Sequence, residues 1–152
     1  MAANQLDISL RRPDAVDKAA GKLRYAGDDF EASCLHAALH VSREAHGIIQ
    51  SVDASGALRV PGVVAVLTGE DCAVRIGSQI EDMPLLARDT VRYCGEPVAM
   101  VVAHERWQAL QAAAGIRVSY FPLPVVNSPV EAVSGEAPLI HPEMSAYKQA
   151  VG

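Results

Sequence analysis

Apolar and polar positions along the chain alternate in short runs that breakers interrupt. Cys34–Val41 (CLHAALHV) reads as a strand, and His46–Val52 (HGIIQSV) reads as its neighbour, joined by the polar link Ser42–Ala45. Asp53 is placed to cap a short helix, Ala54–Leu58, which stops before Pro61. After the Pro61-Gly62 turn, Val63–Leu67 (VVAVL) is an apolar run bounded by breakers, the pattern of a fully buried strand. Thr68 can cap another short helix, Gly69–Cys72, and the weakly periodic residues 73–89 form a loop with short strand fragments.

The densest pattern runs from Asp89 to Pro124. Val91–Cys94 and Val98–Val102 flank Gly95-Glu96-Pro97, and Pro97, having no N–H, belongs at a strand start or edge. A helix follows over His104–Ala114. Its apolar stripe is Trp107, Leu110 and Ala114, at i, i+3 and i+7. Gly115 sits where a left-handed C-terminal cap is wanted. Ile116–Tyr120 is the next strand, ended by Pro122 and Pro124. Asn127–Val133 is a short helix with Ser128 as cap and Pro129 at its first position. Toward the N-terminus, Lys22–Ala26 is a possible strand ended by Gly27, and residues 1–20 read as an extended arm. The elements predict an α+β fold: a mixed β-sheet with one main helix and several short ones.

Composition narrows the picture. In 152 residues half are apolar and 5% aromatic, so the core is built from Val, Leu, Ile and Ala, with Trp107 as its one large anchor. The net charge of −5 without a basic run leaves no footprint for nucleic acid or an anionic membrane. No apolar run reaches a membrane span, and the N-terminus lacks the order of a signal peptide. Cys34, Cys72 and Cys94 form no CxxC pair, which fits free thiols in a reducing cytoplasm.

Candidate chemistry is sparse. Neither a dinucleotide fingerprint nor a P-loop occurs. Cys34, His36 and His40 share a face of a strand, but His36 and His40 lie about 13 Å apart there, too far for one ion. A small metal site would therefore rest on Cys34 and His36. Cys94 beside its Gly turn is a candidate nucleophile, against the simpler account of a small residue ending a strand. Glu81, Asp82 and Glu96 are candidate acid–base carboxylates or solvated loop charges. Glu96, held between Gly95 and Pro97, is expected to orient a backbone group or a partner subunit. Arg11 and Arg12 either dock an acidic surface or belong to a solvated tail.

Four pieces carry a resemblance: RRPDAVDKAAGKLRYAGD, CLHAALHVSREAHGIIQSVDASGALRVPGVVAVLTGEDC, MPLLARDTVRYCGEPVAMVVA and IRVSYFPLPVV. In this order, over roughly residues 11–141, the chain resembles the N-terminal part of the molybdopterin-binding (large) subunit of the xanthine dehydrogenase/aldehyde oxidase family. Cys94, Phe121 and His46-Gly47 depart from the usual residues at their positions. The resemblance implies an α/β-hammerhead domain over 21–135. The arm would be 1–20, and a tail, 136–152, would lead toward molybdopterin-binding domains. It implies an oxidoreductase that hydroxylates purines, aldehydes or N-heterocycles with molybdopterin-molybdenum, 2Fe-2S clusters and usually FAD. The family places its catalytic, cofactor-binding and metal residues beyond the hammerhead, so none carries over to this chain. The implied partners are the molybdopterin-binding domains and the iron–sulfur subunit, with self-association through exposed apolar surface. The alternative is a small stand-alone enzyme or binding module using Cys94 and Glu96.

Overall fold

A computed structural model describes residues 12–28, 33–134 and 137–142. The chain divides into two units, Met1–Cys34 and Leu35–Gly152. In the first, Ala15–Ala19 is a short helix, α1, with no buried residue, so the part of the expected arm that is described is not extended. Arg12 grips Asp14 with two hydrogen bonds of 3.0 and 2.8 Å; Arg11 lies outside the described residues. The expected strand Lys22–Ala26 is absent. The segment is irregular and ends in a 3-10 turn, Ala26–Asp28, where the Asp28 carboxylate accepts the Tyr25 N–H at 2.9 Å.

The second unit holds β1 (His36–Val41), β2 (Gly47–Asp53), α2 (Ser55–Leu58), β3 (Val63–Thr68), β4 (Arg75–Ile76), β5 (Met83–Pro84), β6 (Thr90–Val91), β7 (Pro97–Ala103), α3 (Arg106–Ala114), β8 (Arg117–Pro122) and α4 (Pro129–Ala132). One sheet has the order β1-β7-β3, a second β6-β2-β8, and β4-β5 form a two-stranded ribbon. All pairs are antiparallel. In the two three-stranded sheets, strands adjacent in sequence are not neighbours: β7 pairs with β1 and β3, and β2 pairs with β6 and β8, against the expected pairing of β1 with β2.

Local signals explain much of this. Pro97 starts β7, where its missing N–H interrupts nothing. Ser128 caps α4, its hydroxyl accepting the Glu131 N–H at 3.1 Å, with Pro129 first in the helix. Glu105 and Gln108 form a capping box on the alanine-rich α3. Asp53 accepts the Ser55 N–H at 2.9 Å at the start of α2. The Ser55 hydroxyl and N–H hold the Asp53 carboxyl below its ordinary 3.8. Thr68–Asp71 is a turn rather than the start of a helix, because the Asp71 carboxylate takes both the Thr68 N–H (2.8 Å) and its hydroxyl (2.9 Å). Those two bonds hold Asp71 below 3.8 as well.

Three expectations about packing change. Strand β3 is an edge strand of partly buried and exposed residues, not a fully buried one. Gly115 ends α3 at φ −81°, without a left-handed cap. The face α3 turns inward is Ala109, Ala112 and Ala113, packed with Ala38, Ala99, Val101 and Ala103 of the sheet. Trp107 and Leu110 are 60% and 54% exposed. Two stripes of helical period compete here, and small residues win because they let helix and sheet approach closely. Trp107→Ala is thus expected to change the unfolding free energy by less than about 1 kcal/mol, against about 3–5 kcal/mol for a core tryptophan. The emission of this sole tryptophan should be that of a solvated indole. A core-sized loss in urea unfolding, or emission typical of an apolar site, would contradict the packing.

Candidate functional site

The best-defined polar site is the turn between β6 and β7. Its centre is Glu96, only 1% exposed. The sequence left this carboxylate between an acid–base group and a solvated loop charge, held rigidly by Gly95 and Pro97; the fold turns it inward. Its Oε2 accepts the Arg92 N–H, and its Oε1 lies 3.8 Å from Arg92 Nη1. Arg92 Nη1 also donates to the Thr90 carbonyl at 3.1 Å. The carboxylate thereby closes the turn on the segment that leads into it, which is the backbone-orienting role expected of it. Gly95 stands at φ +95°, a left-handed conformation that suits glycine. Ser42, itself buried, clasps the turn from the end of β1. Its carbonyl accepts the Gly95 N–H and its N–H donates to the Glu96 carbonyl, both at 2.8 Å.

Beside this turn lies a cavity of about 160 Å³, lined by Arg92 and Glu96 with Asp82, Met83, Tyr93 and His141. Burial, and then the Glu96 charge, raise the Tyr93 phenol above its ordinary 10.0. The Tyr93 hydroxyl points at Met83 Sδ, 3.8 Å away.

Cys94 and Glu96 do not form one site. The Cys94 thiol is at the surface and donates to the Ser42 carbonyl at 3.8 Å, whereas the Glu96 carboxylate faces the interior. Glu81 is exposed and Asp82 partly buried. Cys34 is exposed, and among the described residues no three His, Cys, Asp or Glu side chains converge as a metal site would require. Two histidines serve the backbone instead. His40 Nδ1 donates to the Ala113 carbonyl at the end of α3 (2.9 Å), and buried His46 donates to the Pro124 carbonyl (2.6 Å). Neither bond is visible in sequence, where the partners are 73 and 78 positions away. For Glu96 a signal existed: an arginine four residues earlier and rigid neighbours on both sides.

No helix among the described residues is long and apolar enough to cross a membrane.

The model of the family described as "Aldehyde oxidase and xanthine dehydrogenase, a/b hammerhead domain" matches residues 20–124. The chain is 32% identical over 156 aligned positions to the carbon monoxide dehydrogenase large chain of Hydrogenophaga pseudoflava, covering 94% of this chain and 19% of that protein. To the xanthine dehydrogenase molybdenum-binding subunit of Escherichia coli O157:H7 it is 31% identical, covering 91% and 20%. Among solved structures, quinoline 2-oxidoreductase from Pseudomonas putida 86 superposes with a TM-score of 0.74 at 39% identity, covering 84% of this chain and 17% of that one. The chain thus spans about a fifth of the length of such relatives.

Proposed function

This chain belongs to the aldehyde oxidase and xanthine dehydrogenase family, as its α/β-hammerhead domain, and from that premise we propose that it is a scaffold and interface domain of a molybdenum hydroxylase. The observation that carries the proposal is the hammerhead match over 20–124 in relatives about five times longer. In such an enzyme, an oxidoreductase acting on purines, aldehydes or N-heterocycles, the oxidation would be carried outside this chain. Its partners would be the molybdopterin-binding domains and the iron–sulfur subunit, in a cytoplasm that suits three free thiols.

A 2Fe-2S cluster takes four thiolates, and a metal site needs converging donors, which the described residues do not gather. The described donors therefore do not fit these groups, and no step of hydroxylation is assigned to this chain. Its buried polar groups Ser42, His46 and Glu96 instead hold backbone in place.

The purified 152-residue chain is expected to carry no stoichiometric molybdenum or iron by elemental analysis, and to oxidise neither purines nor aldehydes with an artificial electron acceptor. Turnover by this chain alone would overturn the proposal.

A further inference from the structure

Sheet β1-β7-β3 carries apolar rows on both faces, with His36, His40 and Thr68 at the ends of the face toward α3. One face meets α3 through the cross-strand row Ala38–Val101–Val66. The register puts the rows Ala37–Val102–Ala65 and Leu39–Met100–Leu67 on the other face, with Val41 at its end. No side chain in these rows is charged or polar. An antiparallel sheet with one solvated face alternates apolar and polar residues, whereas β7 reads PVAMVVA without a break. That is the pattern of a strand covered on both sides. Yet along β1 Leu39 is 51% and Val41 42% exposed and Ala37 is exposed too, while Met100, Val102, Ala65 and Leu67 are half-buried.

The size of this face decides what covers it. Three strands of six or seven residues make a patch about 20 Å by 14 Å, roughly 280 Å² in projection. Even doubled for side-chain relief, this is short of the ~800 Å² per partner of a stable complex. A second copy of the chain would therefore hold here only weakly. An element of the same polypeptide is under no such limit, because covalent connection removes most of the entropic cost of association. Relatives carry such additional polypeptide, about four times the length of this chain beyond the part it matches.

We propose that the open face centred on Leu39, Met100 and Leu67 is the seat of an uncharged, apolar element from the remainder of the large chain, making β1-β7-β3 the middle layer of three. This rests on the hammerhead reading above and adds the surface through which it acts.

The test places one cysteine on each apolar surface, Leu39→Cys on the sheet and Leu110→Cys on the outer side of α3. Maleimide labelling is followed by peptide mass, which separates the new thiols from the native ones. Rates are compared in the free 152-residue chain and in quinoline 2-oxidoreductase with this chain substituted for the segment it matches. In the free chain both cysteines should label readily. In the chimera Leu39→Cys should slow by about a hundredfold or more, as for a group reached only through local opening, while Leu110→Cys stays within about threefold. Equal labelling of Leu39→Cys in a folded chimera and in the free chain would overturn the covered face and leave the family reading intact. A chimera that fails to fold, although the free chain folds, would overturn the scaffold reading itself, and this inference with it.

Discussion

Glu96→Ala should lower the unfolding free energy by about 3–5 kcal/mol, the largest effect expected of any single substitution here. The removed carboxylate is 1% exposed and faces an Arg92 side chain that is itself only 16% exposed. Its loss takes away the carboxylate that faces the partly buried guanidinium and leaves the Arg92 N–H without its acceptor. Glu96→Gln keeps shape and an acceptor oxygen but gives up the charge, so a smaller loss of about 1.5–3 kcal/mol is expected. Urea unfolding of both variants checks this. A loss under about 1 kcal/mol for Glu96→Ala would show that the turn does not depend on its buried pair. Tyr93 offers a local readout. The glutamine variant should lower the phenol's titration midpoint, but not fully to 10.0, because burial is the larger cause of its rise. A tyrosine raised in this way favours folding below 10.0 and loses that contribution as pH climbs toward its folded value.

Gly69→Ala should cost about 2–3 kcal/mol for a different reason. Gly69 follows the last residue of β3 and turns directly against the chain ahead of β6. A β-carbon there would sit 2.4 Å from the Ala87 carbonyl oxygen and 2.6 Å from the Arg88 Cα. Both obstacles are backbone, so relief requires moving Ala87, which is buried beside Val91 and Val98 in the second apolar cluster and donates its N–H to the Pro97 carbonyl at 2.7 Å. The strain would therefore spread to the start of β7. Thermal unfolding of Gly69→Ala beside wild type is the measurement, and unchanged stability would mean that β3 and residues 87–88 do not approach so closely.

Much of the secondary structure was legible because its signals are local. Proline at the start of β7 and of α4 acts through its own ring and its missing N–H. The short strands within 73–89 could be foreseen as fragments, and β4 and β5 are two residues each. Family membership was legible too, since four weak pieces in fixed order identify together what none identifies alone. The site was only half legible. Glu96 stood out as rigidly held, but its burial depends on Ser42 arriving from 54 positions earlier to clasp the turn. The Thr68 turn misled because threonine caps helices and Asx-type turns alike, and Asp71 decided between them.

By itself, the sequence determined the start of β7 at Pro97 and of α4 at Pro129, the uncharged character of β7, and the family to which these elements belong. These follow from steric and hydrogen-bonding rules that act within a few residues. Only the tertiary structure decided that β7 lies between β1 and β3, that α3 buries alanines and leaves Trp107 in water, and that a loop glutamate becomes an interior anchor. Those choices depend on the space between layers. That space is set by residues distant in sequence, and the period of a helix says which side chains share a face without saying which face fits.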